Sequence, residues 1–234
     1  MDISHLSDHV ALKTISETDS VGLFEIEGLE AGYGLTIGTA LRRVLLTSLP
    51  GAAVTQIKVK NATHEFSTFP GLKEDLVEFT LNFKKLRFTS HSEEPVVVTL
   101  HKKGEGEVTG KDIKLNSDVE LANPDFVLGH LTTKTADLSV EITIERGMGY
   151  VSSEAHHTEK LAVGAIGVDA IFSPVITVNV TVENMRVGKR TDFNRVKLDV
   201  ETDGTISPSK AVSHAAEVLR AHFEKLLAKS ESAE

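Results

Sequence analysis

Leu138, Val140, Ile142 and Ile144 alternate with Ser139, Glu141, Thr143 and Glu145, and the same period of two returns twice further on. Ile176, Val178, Val180 and Val182 alternate with Thr177, Asn179, Thr181 and Glu183; Val196, Leu198 and Val200 alternate with Lys197, Asp199 and Glu201. Alternation sends successive side chains to opposite faces of a strand, so each stretch reads as a strand with one buried and one wet face. A polar second face points to antiparallel sheets, because strands of a parallel sheet are covered on both sides and read as continuous apolar runs. Val21–Ile26, Val54–Val59 and Val96–Leu100 read as further, weaker strands, and Asp203-Gly204 supplies the dipeptide that a tight hairpin turn favours.

Three other stretches run at helical period. Leu72, Leu76, Phe79, Phe83 and Leu86 form one stripe of a short helix. Residues 36–49 place Ile37, Ala40, Leu41, Val44, Leu45 and Leu49 on a broad apolar face that Pro50-Gly51 ends. A third helix opens at Ser207-Pro208, an N-cap followed by proline at the first helical position, and runs through Val212, Ala215, Leu219, Phe223 and Leu226 to about Lys229. Its spacing resembles a coiled-coil seam, and plain core packing and a dimer seam both stand open. Ser230–Glu234 reads as the start of a tail or linker. The loop from Lys102 to Asp112 reads as surface turns. The expected fold class is α+β with two modules, within the one large or two small domains that 234 residues suggest at ~150 per domain.

Composition removes several functions. Without cysteine there is no disulfide framework, thiolate nucleophile or Cys-ligated metal, which fits a cytoplasmic setting. Residues Met1 to Val10 lack the basic and apolar regions of a signal peptide, and no apolar run approaches the ~18 residues of a membrane span. Lys+Arg of 25 against Asp+Glu of 34 gives a net charge of −9, a poor balance for gripping duplex DNA directly.

The chain has ten histidines, yet no H-E-x-x-H, and His156-His157 are adjacent and diverge. No metal site and no cofactor are expected. Gly104-Glu105-Gly106 and Gly147-Met148-Gly149 lack the third glycine of a phosphate loop and read as turns. Neither a Walker loop at Gly38 nor a G-x-S-x-G elbow is present. Arg42 and Arg43 are the only charges on the 36–49 helix and lie ~100° apart around its axis, so at most one can enter the apolar face. Both could be solvated at the rim, or one could meet another chain, where arginine is enriched.

The run Gly28-Leu29-Glu30-Ala31-Gly32-Tyr33-Gly34-Leu35-Thr36-Ile37-Gly38-Thr39-Ala40-Leu41-Arg42-Arg43-Val44-Leu45-Leu46-Thr47-Ser48-Leu49-Pro50-Gly51 closely resembles the N-terminal domain of the bacterial RNA polymerase alpha subunit family. Further blocks similar to the family follow in order: His64–Thr68, Gly71–Asp75, Val168–Val175, and Arg190–Asp192 leading into Glu201–Ile206.

The resemblance implies a two-part α+β architecture: residues 1–50 plus 174–234 as a dimerisation subdomain, and 51–173 as an inserted β-rich subdomain. It implies a homodimer that recruits the large beta and beta-prime subunits, which carry the polymerisation chemistry, so no catalytic residue is expected in this chain. The implied dimer seam is Ile37, Leu41, Val44, Leu45, Val212, Ala215, Leu219, Phe223 and Leu226. The implied beta contacts are Arg43, Leu46, His64, Glu65, Phe66, Ser67 and Thr68. The implied beta-prime contacts are Lys84, Val168, Asp169, Ser173, Pro174, Arg190, Thr191 and Asp192.

Thr39 stands where the family usually has Asn, Ala31 where it has Arg, and Met148 where an Arg often sits between glycines. The chain also stops where the family continues to a DNA-binding domain, so promoter DNA is not expected to be its direct partner. The rival from another class is a stand-alone hydrolase using His130, His156 or His157 with nearby carboxylates.

Overall fold

In a computed structural model, which describes residues 8–62, 64–156 and 164–231, the first strands pair as a hairpin, β1 (Ala11–Glu17) against β2 (Val21–Leu29), and lead into helix α1 (Tyr33–Thr47). The middle of the chain carries β3 (Pro50–Val59), α2 (Leu76–Phe83), β4 (Phe88–Ser90), β5 (Val96–Lys103), β6 (Gly106–Thr109), β7 (Ile113–Lys114), β8 (Val119–Leu121), β9 (Val127–Leu131), β10 (Asp137–Met148), β11 (Tyr150–Val151), α3 (Ser153–His156), β12 (Ala165–Gly167) and β13 (Ala170–Ile171). A long hairpin of β14 (Val175–Val187) and β15 (Arg190–Thr202) and the helix α4 (Pro208–Glu231) complete it. The class is α+β, and every strand pair among the described residues is antiparallel. The chain divides into two compact units, Met1–Leu49 with Ser173–Glu234, and Pro50–Phe172, each boundary one residue before the sequence expectation.

The discontinuous unit is a four-stranded sheet in the order β1-β2-β15-β14, packed on one face by α1 and α4. Val196, Leu198 and Val200 of β15 are fully buried, as their alternation requires, together with Phe24, Leu29 and Leu45. In β14 the expected face breaks. The register slips between Val175 and Thr177, so Ile176 is the extra residue of a bulge and is 54% exposed, while Val175 turns inward. Strand β1 was outside the predicted strands because it offers no alternation: all seven of its residues are exposed. Asp203-Gly204 does not turn a hairpin. The Asp203 carboxylate accepts from the Thr205 N–H at 3.0 Å and hydroxyl at 2.6 Å, folding the connection from β15 into α4. The start of α4 is held by the Glu17 carboxylate of β1, which accepts the Ser209 N–H at 2.8 Å, an acid placed at the positive end of the helix.

The inserted unit centres on a sheet in the order β7-β5-β10-β3-β4-β8, with β12 added along β3. Leu138, Val140, Ile142 and Ile144 of β10 lie in its core with Phe79, Phe83 and Phe88. The helix expected over 72–86 is shorter. Asp75 caps it by accepting the Glu78 N–H at 2.6 Å, so α2 starts at Leu76, and Leu72 instead bridges to Leu131. Within the Lys102–Asp112 loop, β6 is a strand that pairs with β9 rather than a run of turns.

Helix α1 lies unusually close to its sheet. A β-carbon on Gly34 would fall 2.7 Å from Val182 Cγ1, and one on Gly38 would fall 2.6 Å from Val180 Cγ1. Valine cannot easily swing aside at χ1. Overpacking of this kind costs about 1–3 kcal/mol, while Gly→Ala in a helix interior returns about 1 kcal/mol. Gly38→Ala should therefore lower unfolding stability by roughly 1 kcal/mol net, read as a shifted urea midpoint at unchanged slope; an unshifted midpoint would mean that the close approach is not a constraint.

Candidate interaction surfaces

Helix α1 turns Gly34, Gly38, Leu41, Val44 and Leu45 toward its sheet. Arg42 and Arg43 both point away and are exposed, so neither enters the apolar face. Neither guanidinium forms an ion pair with a described residue of its unit. Leu46 beside them is half-buried against the core, and Leu35, one stripe over, is 67% exposed. The helix thus shows solvent two cations, neither ion-paired among the described residues, bordered by apolar side chains.

Helix α4 changes character midway. Ala211, Val212 and Ala215 are buried and Val218 and Leu219 partly so, but every residue from Arg220 to Ala228 is exposed. Phe223 is 62% and Leu226 66% exposed, at the same helical spacing as the buried residues before them. At 1.5 Å per residue this overhang is roughly 13 Å long. The nine residues expected at a seam divide by how far their own protomer covers them. Leu41, Val44, Leu45, Val212 and Ala215 are buried in the core of their own chain, none more than 9% exposed. Ile37 and Leu219 are half-covered, and Phe223 and Leu226 are open.

On the inserted unit, Lys84 follows the last turn of α2 and reaches Asp169 at 3.2 Å. The other Asp169 oxygen accepts the Ser153 N–H at 3.0 Å, and the Lys84 ammonium stands 5.6 Å from the Tyr150 ring. The Ser153 N–H first, and the Lys84 ammonium next, hold the Asp169 carboxyl below its ordinary value of 3.8. A cavity of about 190 Å³ opens here, lined by Glu65, Thr80, Leu81, Lys84, Ser153 and Asp169 among others. Glu65 belongs to a short turn in which the Ser67 N–H donates to the His64 carbonyl at 3.0 Å and the Ser67 hydroxyl meets His64 Nδ1 at 3.3 Å. At its tip Phe66 is 76% exposed, and Thr68 follows. Val168 is withdrawn from the expected contacts. It is 3% exposed and faces the core, its N–H bonded to the Thr55 carbonyl.

On the discontinuous unit, Pro174 is also buried, its carbonyl taken by the Asp203 N–H at 2.9 Å, and the Ser173 hydroxyl donates to the Val175 carbonyl at 3.3 Å. Arg190 forks onto Glu30 at 3.0 and 2.8 Å and onto Asp192 at 3.0 and 2.9 Å, with its guanidinium 4.5 Å over the Phe193 ring. These bidentate bonds tie the β15 start to the segment before α1. Thr191 and Asp192 are exposed beside it. His130 Nδ1 lies 2.6 Å from Glu74, whose second oxygen accepts the His130 N–H at 2.8 Å. The His156 side chain and His157 lie outside the described residues. Among the described residues no group of three or more His, Cys, Asp or Glu side chains could hold a metal ion.

A family model described as the RNA polymerase Rpb3/RpoA insert domain matches residues 56–173. The DNA-directed RNA polymerase subunit alpha of Symbiobacterium thermophilum is 46% identical over 220 residues, 94% of this chain and 70% of that protein. That of Moorella thermoacetica is 47% identical over 213 residues, 91% of this chain and 68% of that protein. The chain belongs to the RNA polymerase alpha subunit family. In this alpha-family chain the three departures from the usual residues, Ala31, Thr39 and Met148, are all exposed, Met148 at 63%. Sequence reading of the alpha-family pattern did not reveal Tyr150 beside Lys84, nor the Glu30 partner of Arg190, because both pairings join elements far apart in the chain.

A carboxylate whose acidity is strengthened by folding stabilises the native state above its ordinary value and loses that contribution as pH falls through the folded value. Asp169→Asn should therefore destabilise this alpha-family chain at pH 7 and make little difference well below pH 3.8, so the urea midpoints of variant and parent should converge on acidification. Midpoints that stay equally far apart at both pH values would show that the pairing with Lys84 and Ser153 is not what Asp169 contributes.

Proposed function

We propose that this chain acts as a homodimeric assembly platform of RNA polymerase, capturing the beta and beta-prime subunits, one mainly on each protomer, and supplying no catalytic residue itself. The observation that carries the reading is the α4 overhang. Each fully buried Leu or Phe contributes roughly 1.5–3 kcal/mol, and a stable dimer commonly buries about 2,000 Å² with an apolar centre. Phe223 and Leu226 gain only a minor part of this within their own protomer, and a second copy offers the same unfilled stripe in return. Ile37 and Leu219, partly open, extend that stripe onto the packed part of the unit.

Arg43 with Leu46 on α1, and the His64–Thr68 turn with exposed Phe66, suit capture of beta: a planar cation beside apolar surface, and a protruding aromatic. Lys84 with Asp169, and Ser173 with Arg190, Thr191 and Asp192, suit beta-prime, with Arg190 acting through the rigidity of its fork rather than as a free cation. The partner is polymerase rather than DNA, in keeping with the net charge of −9, and the setting is the cytoplasm. No helix is long and apolar enough to cross a membrane among the described residues. The hydrolase alternative gains no support: His130 is engaged by Glu74, and the relatives are polymerase subunits.

Phe223→Asp should convert the dimer to monomer by light scattering while leaving the protomer folded, since residue 223 touches no core; a variant that stays fully dimeric would remove the overhang from the interface. Arg43→Ala should keep the dimer and lose most capture of purified beta subunit in a pull-down, and undiminished capture would exclude Arg43 from that contact.

A further inference from the structure

Helix α1 begins without a local cap. Its N-cap position is Gly32, which has no side chain to accept a hydrogen bond, and its first turn contains no acidic residue. The first N–H groups of a helix have no intrahelical acceptor and must find one elsewhere. Here it comes from the middle of β15. Asn194 Oδ1 accepts the Gly32 N–H at 2.8 Å and the Gly34 N–H at 3.3 Å, while its Nδ2 donates to Asn184 Oδ1 on β14 at 3.2 Å.

The amide is therefore committed at both ends, oxygen toward the helix and nitrogen toward the neighbouring strand, and its orientation is fixed by its partners. Asn194 is 7% exposed and Gly34 is buried, so water cannot readily take over the acceptor role at the Gly34 N–H, while Gly32 is exposed. Gly34 lies directly over it, since a β-carbon there would stand 2.8 Å from Asn194 Cβ. One turn on, Gly38 rests on Val180. An acceptor fixed at the helix start and a close contact one turn later together set the helix's rotation about its axis and its position along it.

We infer that Asn194 is a positioning residue for subunit capture: from β15 it sets the rotation of α1 and so the direction in which Arg43 and Leu46 face a partner. It touches neither residue and acts through the helix. This rests on the reading of α1 as the beta-capturing helix. Leu41, Val44 and Leu45 would hold α1 on the sheet without Asn194, but apolar packing tolerates small rotations that a hydrogen-bonded amide does not.

The test compares Asn194→Ala, Asn194→Asp and Asn184→Ala in the full chain at a temperature where each is folded. Capture of purified beta subunit and hydrogen exchange of the Gly32 and Gly34 amides are both measured. Loss of the acceptor in Asn194→Ala should expose both amides to exchange and weaken capture about tenfold, the scale of a lost cap. Asn194→Asp keeps an acceptor at the positive end of the helix and should restore both readouts to within about threefold. Asn184→Ala removes only the tether of the amide and should fall between them; its site is exposed, so it remains usable if Asn194→Ala does not fold.

Fast amide exchange with undiminished capture would overturn the inference, and so would equal loss in the Ala and Asp variants, which would reduce Asn194 to packing. Unprotected Gly32 and Gly34 amides in the parent chain would also overturn it. If the parent chain protects both amides but captures no beta subunit, the assembly reading fails instead, and amide protection in the three variants alone decides whether Asn194 governs the placement of α1.

Discussion

Where α1 meets β14 and β15 the backbone of the helix approaches the strands with only hydrogen atoms of glycine between them. Gly34 and Gly38 leave no room for any larger side chain. That closeness lets Leu41, Val44 and Leu45 reach the buried faces of β2 and β15, and it settles which residues of α1 are left outside. The helix and the sheet are in this sense one object. The cations at 42 and 43 are exposed because the packed stripe beneath them admits nothing charged.

Helix α4 obeys the opposite logic. Its first half ends its apolar stripe against the sheet, and its second half continues the same stripe into open solvent. An amphipathic helix gains most of its stability from packing rather than from propensity, so the overhang is little supported by its own fold. A surface of this kind suits an obligate oligomer, whose protomer stability depends on protomer concentration.

Much of the fold was legible from residue pattern because burial and period coincided. Val196, Leu198 and Val200, and Leu138 through Ile144, alternate in sequence and are buried in fact. Legibility failed where a local irregularity intervened, as at the bulge that turns Ile176 outward, or where a strand has no buried face, as in β1. The seam of α1 and α4 was visible as a stripe, but a stripe does not say whether its own chain or another covers it. Leu41 and Phe223 look alike in a helical projection and have opposite fates. The Asn194 cap was invisible for a simpler reason: an asparagine in a strand gives no sign of which distant helix lacks an acceptor.

Besides its hairpin partner β1, β2 pairs on its other side with β15, reached only after the whole of Pro50–Phe172 has been made. Bringing the ends of so long a loop together costs conformational entropy, although the cost grows only logarithmically with length. A contiguous inserted unit that folds first would shorten the effective loop to its two crossing points. On a ribosome, β1, β2 and α1 would wait as an unfinished half, exposing the underside of α1 until β14 and β15 emerge. The order of synthesis thus makes the insertion a timer, with α1 acquiring its seat only after β14 and β15 have been made.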